Sequence, residues 1–153
     1  MIPDGGVVKG YGIINCANLA SVTARAQAGG IAGVCDISGS LKYSANIKNC
    51  FNAGSVTATN SSETAGGITG EILTGGSGTC TLTSNYYLPE TAAMGGIGKT
   101  NSVTITAPSQ STPSVSEMNT WVNANNSGNV YKTWIIKSVG STNYPVPDVG
   151  YEW

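Results

Sequence analysis

Polar and apolar residues alternate along the first two thirds of this chain in short stretches, of which Ser55-Val56-Thr57-Ala58 is one. A side-chain period of two is that of a half-buried β-strand, and Val, Ile and Thr suit its pleated surface. Gly-Gly pairs punctuate the stretches at Gly29-Gly30, Gly66-Gly67 and Gly95-Gly96. A missing side chain there permits a sharp corner and lets neighbouring backbones approach closely. The pattern changes after residue 106. Residues 107–113, with Pro108 and Pro113 and no apolar period, read as a loop. Ser114 and Glu117 then have capping-box spacing, and Val115, Met118, Trp121 and Val122 fall at helical spacing. Together they predict one helix of about eleven residues, stopped by Asn125-Asn126-Ser127-Gly128. Residues 131–137 read as a strand and 144–147 as a terminal extended piece.

The alternating stretches recur. Ile13-Ile14-Asn15-Cys16-Ala17-Asn18 and Ile47-Lys48-Asn49-Cys50-Phe51-Asn52 share Ile-x-Asn-Cys-x-Asn, and each leads to Ser-Val-Thr-Ala, at 21–24 and 55–58. The glycine signatures Ala28-Gly29-Gly30-Ile31 and Ala65-Gly66-Gly67-Ile68 follow in step. A degenerate third copy runs from Ser84-Asn85-Tyr86-Tyr87, with Tyr86 taken for the cysteine slot, to Gly95-Gly96-Ile97. A unit of roughly 35 residues with short strands and no helix cannot bury its own apolar face, and stacking on a neighbour is its remedy. The expectation is an all-β protein: a short β-solenoid of about three coils over residues 1–106. Residues 107–153 are expected to form a C-terminal cap over the open end, with Trp121, Trp134 and Tyr144 as its core. Ile14, Val22, Ile31, Ile47, Val56 and Ile68 are expected to point inward. A small antiparallel β-sandwich is the alternative, since it also needs short strands and frequent turns.

Composition narrows the chemistry. Gly, Ser, Thr and Asn supply 69 of the 153 residues, against 10% charged and 7% aromatic, which argues against long soluble helices. A net charge of −1 leaves no basic surplus for nucleic acid or an anionic membrane surface. The chain has no His, which removes Ser-His-Asp and Cys-His catalysis and His-bound zinc. No apolar run is long enough to cross a membrane as a helix. The segment from Met1 to Gly6 lacks the features of a signal peptide and begins in mid-pattern. The expectation is a segment of a longer protein, with Met1 as its added initiator.

The four cysteines, Cys16, Cys35, Cys50 and Cys80, form no CxxC pair, so neither a metal site nor any other cofactor site is expected. Cys16 and Cys50 occupy one slot of successive copies, as a disulfide or as a column of small buried thiols. Cys35 and Cys80 pair with each other or stay free. Tyr11, Tyr43, Tyr86 and Tyr87 are the candidates for a sugar-stacking face, with Tyr43 and Tyr87 the two ligand-binding residues singled out. The eight acidic residues are scattered. Glu63 and Glu71, flanking one glycine signature, are the only pair that fits the two-carboxylate chemistry of glycoside cleavage. No catalytic residue is expected.

With these residues in view, Asn49-Cys50-Phe51-Asn52-Ala53-Gly54-Ser55-Val56-Thr57 followed by Ala65-Gly66-Gly67-Ile68 resembles the GLUG-type repeat of secreted and cell-wall proteins of gut and oral bacteria. That repeat also stands beside the peptidase domain of immunoglobulin-A-cleaving metallopeptidases and in adhesin-like proteins. The first copy departs from the pattern, with Ala17 in the aromatic slot and Leu19-Ala20 where Ala-Gly would stand. The resemblance implies a right-handed β-helix-like fold for the solenoid, on the outer surface or in the secretions of a bacterium. It carries no catalytic residue. The function expected is a non-catalytic adhesin-like or spacer module presenting a surface to a host glycan or a surface protein. A carbohydrate-binding module of a secreted enzyme is the alternative, and a polysaccharide-degrading β-helix the third reading. A monomer is expected, whose first edge is open to pairing with another chain.

Overall fold

The computed structural model describes residues 9–38, 43–60, 64–75, 78–88, 95–101, 105 and 107–150, with the backbone alone for Lys9, Gly10 and Tyr43. The chain runs through three tiers of short strands. The first holds β1 (Lys9–Ile14), β2 (Ala17–Asn18), β3 (Val22–Ala24), β4 (Ala28–Gly29) and β5 (Ala32–Ile37). The second repeats it with β6 (Tyr43–Lys48), β7 (Phe51–Asn52), β8 (Val56–Ala58), β9 (Ala65–Gly66) and β10 (Thr69–Thr74). The third has β11 (Thr79–Thr83), β12 (Tyr86–Tyr87) and β13 (Ile97–Thr100). Then follow β14 (Ser109–Gln110), α1 (Val115–Asn125), β15 (Trp134–Val139) and β16 (Thr142–Pro147).

Each strand pairs in parallel with its counterpart in the next tier, in the orders β1-β6-β11, β2-β7-β12-β14, β3-β8, β4-β9 and β5-β10-β13. The protein is therefore an all-β fold of parallel sheets with one short helix. Among the described residues, antiparallel pairing is confined to the β15–β16 hairpin, so the pairing that a small β-sandwich needs is not what organises the tiers.

The repeat motif marks a corner. Asn15, Asn49 and Ser84 all have φ between 53° and 59°, the left-handed conformation that Asn tolerates better than most residues. The third tier corrects the alignment read from sequence. Thr83 lies opposite Lys48 and Tyr86 opposite Phe51, so Ser84 takes the corner and Asn85, not Tyr86, follows Cys16 and Cys50 in the inward column. Asn85 is satisfied there, accepting from the Cys50 N–H at 3.1 Å and donating to the Ile47 carbonyl at 2.7 Å. Ile97 likewise lies opposite Thr69 rather than Ile68.

Strand register also corrects one inward residue. Ile13, Ile47 and Leu82 share a row, whereas Ile14 lies opposite Lys48 and Thr83 on the other face. Ile47, Val56 and Ile68 are buried, while Val22 and Ile31 are half-buried members of the same clusters. The central cluster gathers Ile47, Ile68, Ile72, Leu82 and Tyr87 with all four cysteines.

The C-terminal segment meets the stack in two places. β14 pairs onto β12 at the third-tier end, while α1 and the β15–β16 hairpin lie along the side, over the sheet β2-β7-β12-β14. Phe51 packs with Met118, Val122 and Trp134, joined by Ala17, Leu19, Tyr86, Trp121 and Tyr144 from three tiers and the flank. Trp134, Trp121 and Tyr144 are thus packing residues, as expected, but of a lateral flank. Its physical cause is the aromatic row. Phe51 and Tyr86 stand on one sheet face, and an apolar row of that size must be covered by something. The flank is tied to the first tier by polar bonds as well. Asn15 donates to the Lys132 carbonyl at 2.8 Å and accepts from the Trp134 indole N–H and from the Asn49 amide.

Candidate functional site

The three tiers present equivalent positions to the flank, but the residues in them differ. Ala17, Phe51 and Tyr86 form one row. Phe51 is fully buried and Tyr86 half-buried against the flank. In the first tier the same slot holds only a methyl group. Beside it lies a groove of about 570 Å³, floored by Ala17, Asn18, Leu19 and Ala20 and walled by Lys137, Ser138 and Val139 of β15 and Val146 of β16. A ring missing from an otherwise aromatic row leaves such a space, because the hairpin is held at its height by Phe51 and Trp134 and cannot collapse onto Ala17.

The groove floor is rigid. The Asn18 side chain closes a turn, donating to the Ala20 carbonyl at 2.8 Å and accepting from the Ala20 N–H, and it also donates to Asn52 Oδ1 at 2.8 Å. Asn52 makes the same turn with Gly54 in the second tier. β2 is the outer strand of its sheet and has a paired neighbour on one side only among the described residues. Lys137 is the one charged side chain among the described lining residues. The site thus offers an apolar hollow, a sheet edge and one cation.

A second hollow, of about 380 Å³, lies between β1, β5 and β6, where Tyr11, Ile13, Val34, Cys35, Asp36 and Ile47 line it. Tyr11 is 63% exposed there. The Asp36 carboxyl is held below its ordinary range by the Ser38 hydroxyl and N–H that bond it.

The residues singled out from sequence fare differently. Tyr87 is 5% exposed, and its ring fills the space above Gly67 and Gly96, where an added Cβ would come within 2.9 Å of it. That burial removes it as a stacking surface. Tyr43 belongs to β6, and its side chain lies outside the described residues. Glu63 lies outside them too. Glu71 is buried and engaged by Gln27 at 3.0 Å and Lys99 at 3.2 Å. Of the carboxylates, only Asp36 lines either hollow, so neither brings two together among the described residues. All four cysteines are thiols. Cys16 and Cys50 face each other across tiers. The hydrogen bond from Cys50 is the chief reason that the Cys16 thiol falls to about 7, while Cys50 is pushed up by that bond and by burial.

Sequence reasoning noted Ala17 and Leu19-Ala20 only as departures from the repeat. Those departures are the floor of the groove, and they were the available signal. Lys137, Val139 and Val146 gave none, since a strand far along the chain reveals nothing of the surface it faces. No family model, curated protein or solved structure matches the chain.

Proposed function

We propose that this chain is a non-catalytic repeat module of a bacterial secreted or cell-surface protein, of the GLUG-like class. Its tiers form a short right-handed β-solenoid, braced along one side by residues 107–150, and its first tier presents a binding groove. The observation that carries this reading is the coincidence of the repeat's departures with the groove. The slots that are aromatic or glycine in the second tier become Ala17 and Ala20 in the first, and the hollow lies at those residues. A packing defect with no use would be expected to be filled, because an apolar hollow forfeits contact energy. The partner that fits is a protein segment that pairs along the β2 edge and inserts an apolar side chain beside Ala17, the general mode of strand addition. The adhesin-like role follows if that segment belongs to another surface.

The test is to screen the module against polypeptides from host and bacterial surfaces and against a glycan array. The hit is then compared with Ala17→Phe, which restores the row's ring. Loss of binding with thermal stability kept or raised supports the reading. A ligand bound equally by wild type, Ala17→Phe and Val139→Asp sinks the groove as the site.

The carbohydrate-binding alternative draws on one observation, the exposed Tyr11 ring beside Asp36 in the smaller hollow. A glycan hit lost on Tyr11→Ala and kept on Ala17→Phe would favour it.

A further inference from the structure

The four thiols share one core cluster, but they are not equivalent. Cys35 lies on β5 in the first tier, opposite Ile72, and Cys80 on β11 in the third, opposite Ala45. The winding of the chain brings these positions, 45 residues apart, together with the two sulfurs at 3.2 Å. A disulfide needs about 2.05 Å, so closure asks for a shift of roughly 1 Å shared between two short side chains. Cys35 also lines the 380 Å³ hollow, through which a small molecule can reach it. In the other pair only Cys16 is partly exposed. Cys50 is fully buried, with its thiol directed at the Lys48 carbonyl at 3.2 Å.

We infer that Cys35 and Cys80 form a thiol–disulfide exchange site whose oxidation clamps the first tier to the third. The co-reactant is a low-molecular-weight disulfide, RS–SR. The Cys35 thiolate attacks one of its sulfurs, breaks the S–S bond and releases RS⁻, which takes up the Cys35 proton as RSH. Cys80, deprotonated by solvent base, then attacks the Cys35 sulfur of the mixed disulfide and expels the second thiolate, which leaves as RSH. Two electrons pass from the protein to the oxidant and one intramolecular S–S bond forms. Cys35, which lines the hollow, is the attacking sulfur and Cys80 the resolving one, and the hydrogen bond between them acts in the same sense, lowering the Cys35 thiol and raising Cys80. Closing a 45-residue loop restricts the unfolded chain more than the folded one.

This inference stands on the thiol geometry and is independent of the groove. The test equilibrates the folded chain in glutathione buffers from reducing to strongly oxidising, followed by intact mass and a non-reducing peptide map. The expected result is loss of two hydrogens, one cross-link joining the Cys35 and Cys80 peptides, and a thermal midpoint raised by roughly 10 °C. Reductant reverses all three, and Cys80→Ser shows neither the cross-link nor the rise. Four free thiols in the most oxidising buffer would overturn it. So would a stable glutathione adduct on Cys35 without ring closure, or Cys16–Cys50 as the main cross-link.

Discussion

Gly67 is held to its identity by space. A Cβ built there lies 2.5 Å from the Tyr87 ring, and one built at Gly96 lies 2.9 Å from the same ring. Gly67→Ala is therefore expected to cost about 3 kcal/mol or more, read as a fall in denaturation midpoint, whereas Gly128→Ala, whose nearest neighbour is at 3.4 Å, should change it little. The sequence announced that this glycine pair mattered, but not that its role is to seat a tyrosine from the next tier. The thiols allow a second test at this scale. Cys16 should react with iodoacetamide with a pH midpoint near 7, because the Cys50 thiol hydrogen-bonds its thiolate. Cys50→Ala removes that donor and should move the midpoint up toward the ordinary thiol value of about 8.5. An unchanged midpoint would show that the Cys50 thiol is not what lowers Cys16.

At the scale of elements, the helix was the most legible feature. α1 spans Val115–Asn125 with Ser114 as N-cap, and both halves of the capping box form, Glu117 N–H to Ser114 Oγ at 3.1 Å and Ser114 N–H to Glu117 Oε2 at 2.8 Å. Its signals are local, so a local reading finds them. Ser114→Ala should cost about 1 kcal/mol, a fall in Tm of a few degrees. The Ser114 N–H holds the Glu117 carboxyl below its ordinary value, so the folded chain favours the charged form. The contribution is present above the ordinary carboxylate range and is lost as pH falls through the lowered pKa. Glu117→Gln should accordingly flatten the acid limb of the stability profile. The strands were less legible at their ends. The corner at Ser84 slipped by one place because Asn85 fits the motif better, yet Thr83 and Tyr86 had to face Lys48 and Phe51.

For the whole molecule, the junction between tiers and flank is concentrated on Asn15, which serves Lys132, Trp134 and Asn49 at once. Asn15→Ala leaves the Trp134 indole N–H and the Lys132 carbonyl without these partners. It should cost about 2–3 kcal/mol and red-shift the tryptophan emission as water reaches the flank. Asn15→Asp keeps the acceptor for Trp134 and loses the donor to Lys132, so its emission should shift less. An unaltered spectrum and midpoint in Asn15→Ala would show that apolar packing around Phe51 alone holds the flank. The sequence marked residues 107–153 as a separate segment and named its packing aromatics. It placed them over an end rather than along a side, because nothing local distinguishes an apolar surface at the end of a stack from one along its flank.

By itself the sequence determined what depends on short-range chemistry and on periodicity. That covers strand-length segments repeating at offsets of 34 to 37 residues between the first two copies, the capped helix, and the glycines at close approaches. Only the tertiary structure decided that Ile13, not Ile14, shares the row of Ile47 and Leu82, where the flank lies, and that Tyr87 is buried while Tyr11 is exposed. It alone brought Cys35 to Cys80 and opened the groove at Ala17. The reason is physical. A repeat fixes which slots are equivalent, but whether a slot is filled, covered or left open depends on residues tens of positions away in the chain, and more than a hundred for Ala17 and Lys137.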